Sequence, residues 1–340
     1  MIADDPSILV AREVAEAIAR APVVIHPLRA GGRNSRVYRV DAGGRGFALK
    51  QYPPRRDDPR DRLSTEVDAL TLMAAGRIDV IPQVVGVDRE RNYVMLSWIE
   101  GAPVEAISDL DVDAAIAFLS AVHALRNAPG AAGQPLASEA CLSGAEIERQ
   151  IRERLSRLSA LAPDEPELKT FLQVNFLPEL ERALAKGRAT VAAAGLDFTM
   201  DVPQECRSLV PADFGFHNSL RRPDGSLAFV DFEYFGWDDP VKLTADVILH
   251  PGQRLASGQR ARLKRGAQDI YGRDKTFAVR LAAYLPLFAL RWSLILLNEF
   301  IPERWDRRRL AGATESWDEA KRRQLGRARD MLAGIAGGGS

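Results

Sequence analysis

Residues 209–233 decide the fold: Leu209-Val210-Pro211-Ala212-Asp213-Phe214-Gly215-Phe216-His217-Asn218-Ser219-Leu220-Arg221-Arg222-Pro223-Asp224-Gly225-Ser226-Leu227-Ala228-Phe229-Val230-Asp231-Phe232-Glu233. Pro223-Asp224-Gly225 between two short apolar runs is a turn, because proline presets φ and glycine accepts a positive φ. The spacing therefore predicts a hairpin. Asn218 precedes its outgoing strand and Asp231 follows the returning one, so antiparallel pairing brings both to the open end. Two hard oxygen donors converge there, a set suited to magnesium, which takes oxygen ligands and keeps waters and substrate phosphates in its shell. Asp213, on the approach loop, falls beside that pair.

Upstream, the same logic recurs. Val37, Tyr38 and Val40 precede the glycine-rich stretch 41–46, and Phe47-Ala48-Leu49-Lys50 follows. Gly31-Gly32-Arg33-Asn34-Ser35 leads into the first strand and Lys50 closes the second, so a loop and an ammonium group share one end. Backbone N–H groups in such a loop and a lysine charge suit phosphate oxygens. Leu63, Val67, Leu70 and Leu72 predict a helix over 62–75, on which Glu66 would pair with Lys50. A leading helix over 7–20 and strands near 81–87 and 93–96 complete a small β-rich lobe. Beyond Gly101, alanine- and leucine-rich helical patterns dominate, notably 112–125, 146–158 and 168–184, and 208–232 is the strand-like exception. The expected class is α+β. Residues 129–133 read as a flexible surface loop and 337–340 as a frayed tail.

Composition narrows the function classes. A chain of 340 residues is about twice the usual domain length, so two lobes with sizeable cores are expected. Lys plus Arg and Asp plus Glu each number 46, which removes the basic excess of a nucleic-acid binder. The two cysteines, Cys141 and Cys206, sit in no metal-ligand spacing, and they read as reduced thiols of a cytoplasmic protein. The acidic start lacks the regions of a signal peptide. The apolar run 281–297 is too short for a bilayer span and contains Pro286 and Arg291, so a buried helix is expected and no membrane partner.

The combination Gly31 to Val40, Ala48-Leu49-Lys50, Glu66, Asp213, Asn218 and Asp231-Phe232-Glu233 resembles the aminoglycoside phosphotransferase and choline kinase-like family of small-molecule kinases. The resemblance runs from about Leu28 to Asp246 and implies a two-lobed, protein-kinase-like fold that binds ATP and magnesium. It implies a nucleotide-binding lobe over 1–96 with the leading helix, a hinge over 97–101, and a catalytic and substrate-binding lobe over 102–336. By family role, Gly31, Gly32, Asn34 and Ser35 would line the phosphate loop, Lys50 would meet the α- and β-phosphates, and Glu66 would hold Lys50. Asp213 would orient or deprotonate the acceptor hydroxyl, Asn218 and Asp231 would bind magnesium, and backbone groups of Ser97 and Ile99 would meet the adenine edge. One departure is Pro211, where the family usually has a histidine that supports the loop.

The acceptor is expected to be a small polar molecule such as an aminoglycoside, amino alcohol or sugar. Glu233 and Asp238 are candidates for an acidic wall suited to a cationic acceptor, while Asp238-Asp239-Pro240 also reads as a helix cap. His217 reads as a loop residue without a proton-transfer task. Asp231-Phe232-Glu233 replaces Asp-Phe-Gly and no long activation segment follows, which argues against a protein kinase. A nucleotide-binding scaffold with a degenerate kinase fold is the alternative, supported by Pro211.

Overall fold

The structure, a computed structural model, describes residues 6–28, 35–53, 60–310 and 315–336. Gly31, Gly32, Arg33, Asn34 and the tail 337–340 lie outside the described residues. The chain forms two compact units, Met1–Ser138 with Leu209–Trp237, and Glu139–Ser208 with Asp238–Ser340.

The first unit opens with α1 (Pro6–Ala19), β1 (Val24–Pro27), β2 (Arg36–Ala42), β3 (Arg45–Gln51), α2 (Arg62–Ala75), β4 (Val84–Asp88) and β5 (Tyr93–Ser97). Its sheet is antiparallel in the order β1-β2-β3-β5-β4. Tyr38, Val40 and Ala42 are buried at every second position of β2, and Phe47 and Leu49 answer them from β3. Gly43 and Gly44 both adopt positive φ, +55° and +75°, the requirement of a two-residue turn whose twist matches its strands. Ile8, Ala11, Val14 and Ala15 form one stripe of α1 and join Val40, Leu49 and Met95 in a common core. The edge strand β1 has one buried residue, Ile25, and ends in a proline, so it carries almost no alternation to read.

The unit continues with β6 (Ala102–Pro103) and α3 (Asp109–Ala124), then β7 (Ser208–Val210), β8 (Ser219–Arg221), β9 (Leu227–Phe229) and β10 (Gly236–Asp238). β8 and β9 pair around the expected turn, where Gly225 has φ +86°, in the register Ser219↔Phe229. Ser108 and Asp111 cap α3 reciprocally, and Arg221 holds Asp111 with a two-pronged hydrogen bond of 2.8 Å on each arm. Phe118 of α3 is an aromatic hub: its ring centroid lies 5.4 Å from Phe214, 4.5 Å from Phe229 and 6.0 Å from Phe232. Phe214 directly follows Asp213 and Phe232 directly follows Asp231. The hub thus anchors both acid-bearing segments.

Residues 129–133 form a surface turn as expected, with one residue pinned inward. They include a 3₁₀ turn over Ala131–Gly133; Ala131 is buried and its carbonyl accepts from Trp237 Nε1 at 3.0 Å.

The second unit comprises α4 (Gly144–Leu161), α5 (Pro166–Thr170), α6 (Leu177–Ala193), α7 (Pro240–Leu249), α8 (Ser257–Tyr271), α9 (Phe277–Leu296), α10 (Pro302–Leu310) and α11 (Trp317–Ala336). A π-helical turn, Phe171–Phe176, joins α5 to α6. α9 touches α4, α6, α7, α8 and α11 and supplies Leu281, Leu287, Phe288, Leu290 and Leu294 to the core. The stretch Phe277–Phe300 is long and apolar enough to cross a membrane, yet 67% of its most apolar window is buried inside the unit. Both cysteines are free thiols.

Phe118→Ala should cost about 3–5 kcal/mol, because it removes the ring on which three others rest. Leu110→Ala, on the same helix at 79% exposure, should stay within about 0.5 kcal/mol. Urea unfolding of the two variants checks both values, and equal costs would remove the hub.

Candidate active site

Lys50 enters from β3, paired in register with Val37 and Val94, and its side chain is buried at 6% exposure. A buried ammonium is stable only among compensating charges. Lys50 Nζ lies 2.6 Å from Glu66 Oε2, 2.5 Å from Asp231 Oδ1 and 3.3 Å from Glu233 Oε2. The Tyr52 hydroxyl donates to the same Glu66 oxygen, and Lys50 sits 5.0 Å over the Tyr52 ring centre. Burial pulls the Lys50 pKa down, but the charges of Glu66, Tyr52, Asp231 and Glu233 outweigh it and hold it well above the ordinary 10.5. Burial and the Glu66 carboxylate push the Tyr52 phenol up as well. The remaining oxygen of Glu66 accepts from the Phe232 amide at 3.2 Å, joining α2 to the segment that follows Asp231.

The hairpin does what its spacing demands. Val230 N donates to Asn218 O at 3.0 Å, so the open end holds Asn218 and the residues up to Asp231 together. Asn218 Nδ2 donates to the Asp213 carbonyl at 2.8 Å, which leaves Asn218 Oδ1 as the metal-capable atom. The Asp213 carboxylate is exposed and lies 3.3 Å from His217 Nε2. Ala212 and Asp231 both adopt positive φ, +55° and +71°. Such strain in non-glycine residues persists only where the surroundings over-determine it.

Ser35 stands immediately before β2. Ser97 ends β5, and its N–H donates to Gln83 O at 2.8 Å while its Oγ accepts from Gln83 N. That amide is already engaged. Ser97 and Ile99 line a cleft of about 600 Å³ with Ile81, Trp98 and Arg222, and the lining includes none of Lys50, Asp213, Asn218 or Asp231.

Glu233 and Asp238 are not placed as an open acidic wall. Glu233 is buried, with Oε1 2.5 Å from Arg62 Nη1 and Oε2 facing Lys50. Burial pushes its pKa up against the pull of Lys50 and Arg62. Asp238 is fully buried in the second unit, where it accepts from the Cys141 and Asp239 amides at 2.8 Å each and faces Lys242 at 3.5 Å. Burial raises its pKa to about 6. Asp239 caps α7, as the cap reading required. Tyr52, Arg62 and the His217–Asp213 contact escaped the sequence reading. Only the four-residue spacing of Arg62 and Glu66 on one helix face signalled any of them.

The donor set fits magnesium. Asp231 is partly exposed, Asn218 keeps a carbonyl oxygen, and Glu233 Oε2 is buried with no hydrogen-bond donor. All are hard oxygen atoms. Glu66, Asp231 and Glu233 lie close enough together to hold a cation, and in this structure the Lys50 ammonium stands among them.

Residues 24–277 match the family model described as the Phosphotransferase enzyme family. No curated protein matches the sequence. Among solved structures, choline kinase LicA from Streptococcus pneumoniae superposes with a TM-score of 0.59 at 16% identity, covering 97% of this chain and 99% of that one. A spectinomycin phosphotransferase solved with ADP and spectinomycin gives 0.61 at 10% identity, over 96% and 98%. A macrolide 2'-phosphotransferase from Brachybacterium faecium gives 0.58 at 16%, over 89% and 98%. These likenesses show a shared two-lobed kinase-like fold. Because the family match spans well over half of its length, the chain belongs to the Phosphotransferase enzyme family and is a small-molecule kinase.

The Lys50 cluster has a pH signature. The pKa values of Lys50 and Tyr52 are raised in the folded state, so their contribution is fully present below about pH 10 and is lost as pH rises through the folded values. Lys50→Met leaves buried carboxylates without their cation and should cost about 3–5 kcal/mol at pH 7. It should also flatten the decline of the urea midpoint between pH 9 and pH 11, relative to the native chain. An unchanged decline would show that the cluster does not couple to folding.

Proposed function

We propose that this family member moves the γ-phosphoryl group of ATP, with magnesium, to a hydroxyl of a small polar acceptor. One observation carries the reading: Asp213, Asn218 and Asp231 share one end of a hairpin, and Asp231 touches Lys50, which Glu66 directs. In such a transfer the new bond joins the acceptor oxygen to γ-phosphorus, and the bond from γ-phosphorus to the bridging oxygen breaks, releasing ADP. The protein's part is positioning and charge placement.

Asp213 is the exposed carboxylate, suited to accept the hydroxyl proton, and His217 borders it on one side. Asn218 Oδ1 and Asp231 would hold magnesium, which when bound neutralises charge developing on the phosphate oxygens. Lys50 would exchange Asp231 for α- and β-phosphate oxygens while Glu66 and Tyr52 keep its direction. Within 97–101, the hinge of this reading between lobes 1–96 and 102–336, Ile99 is the better backbone partner for an adenine edge, since the Ser97 N–H is engaged. Glu233 and Asp238, buried and paired, lend no support to a cationic acceptor, so the hydroxyl alone defines the acceptor class.

Incubation of the protein with magnesium-ATP and a panel of aminoglycosides, amino alcohols and sugars should yield acceptor-dependent ADP. Asp213→Ala should lower that turnover by about 10²–10⁴-fold with nucleotide binding retained. Native turnover in the variant would overturn the assignment, and nucleotide binding without transfer to any acceptor would favour the scaffold alternative.

A further inference from the structure

We propose that Arg62 is a positioning residue for the phosphate side of the site, gripping Glu233 and Tyr234 so that residues 231–234 keep the turn that presents Asp231. This rests on the phosphotransferase reading above and names a residue outside the expected set.

The location of Arg62 is unfavourable by itself. It is the first residue of α2, where the helix dipole disfavours a cation, and it is buried at 6% exposure, where an unpaired guanidinium is costly. Both penalties are met from the segment after Asp231. Arg62 Nη1 donates to Glu233 Oε1 at 2.5 Å, and the guanidinium carbon lies 5.0 Å from the centre of the Tyr234 ring. One helical turn on, Glu66 accepts from the Phe232 amide. The start of α2 therefore holds three consecutive residues, one by its backbone, one by its carboxylate and one by its ring.

That grip acts on a strained residue. Asp231 has φ +71°, in the left-handed region, where a residue with a side chain stays only when its neighbours hold it. The Arg62 grip also affects Lys50. With Arg62 present, Glu233 divides its two oxygens between two cations. With Arg62 gone, Lys50 is the cation still facing Glu233 among the described residues, and Glu233 would draw it away from Glu66 and from the phosphates. Both effects fall on the residues that meet nucleotide and metal, although Arg62 reaches neither.

A lysine at this position keeps the charge but loses the planar fork and its face-on contact with a ring. Arg62→Lys should therefore rescue only part of what Arg62→Leu loses. Amide hydrogen exchange in the ligand-free protein reads the turn directly: Arg62→Leu should accelerate exchange at Phe232 by about tenfold or more, while Leu49 and Met95 in the sheet core stay protected. In nucleotide binding titrated with magnesium, the half-saturating magnesium concentration should rise about 10–100-fold in Arg62→Leu and less in Arg62→Lys. If Arg62→Leu does not fold, Glu233→Gln must show this acceleration and Arg62→Lys a smaller one, both confined to 231–234. Unchanged exchange at Phe232, or acceleration spread evenly through the sheet, would overturn the proposal. The exchange measurement needs no nucleotide, so a native chain that binds none would count against the proposed function and leave this result standing.

Discussion

A single ammonium group organises the first unit. Lys50 is buried on a strand, and its charge is tolerated only because Glu66 comes from a helix and Asp231 and Glu233 come from a loop far along the chain. The buried Glu66 depends on the lysine in turn, since a buried carboxylate without a cation is as costly as the reverse. Sheet, helix and loop must therefore assemble together or not at all. Arg62 extends the arrangement, so two fixed cations face three carboxylates. The excess negative charge lies at the partly exposed Asp231, the edge at which a further cation would be accommodated.

The legible parts of this arrangement share a property: their partners are set by short-range pattern. Alternation and turn chemistry marked the two hairpins, and hairpin geometry alone brought Asn218 and Asp231 to one end. The Lys50–Glu66 pair was legible because a strand end and a helix face are both periodic. Glu233 and Asp238 were misplaced because acidic residues beside a metal-type motif read as solvent-facing. Their burial depends on Arg62, Lys50 and Lys242, each contributed by another element. Residues 129–133 keep to the surface as expected, but the Trp237 indole that pins Ala131 comes from more than a hundred residues later and was not legible. The edge strand β1 had too little alternation to register.

The second unit shows how composition can mislead about environment. α9 is apolar enough for a bilayer, yet it is the axis around which five other helices of the unit pack. Arg291, near its C-terminal end, is the clue. Arg291 donates to Gln150 at 2.9 Å and also pairs with Glu139, while the neighbouring Trp292 donates to Asp246 at 2.8 Å. A polar network threaded through an apolar helix belongs to a protein interior, where each group finds a named partner.

The rings around Phe118 carry an evolutionary consequence. Phe214 and Phe232 each stand one residue beyond a carboxylate, Asp213 and Asp231, so the position of each acid is tied to the size of its neighbour and to the hub that both neighbours share. A drift in ring volume at Phe118, Phe214, Phe229 or Phe232 displaces Asp213 and Asp231 together, and only a compensating change at another ring restores them. Related sequences should therefore inherit these four positions as a block. Residues away from the four rings can change without moving the two acids, so the surface that meets an acceptor can be remodelled while the aromatic cluster stays fixed.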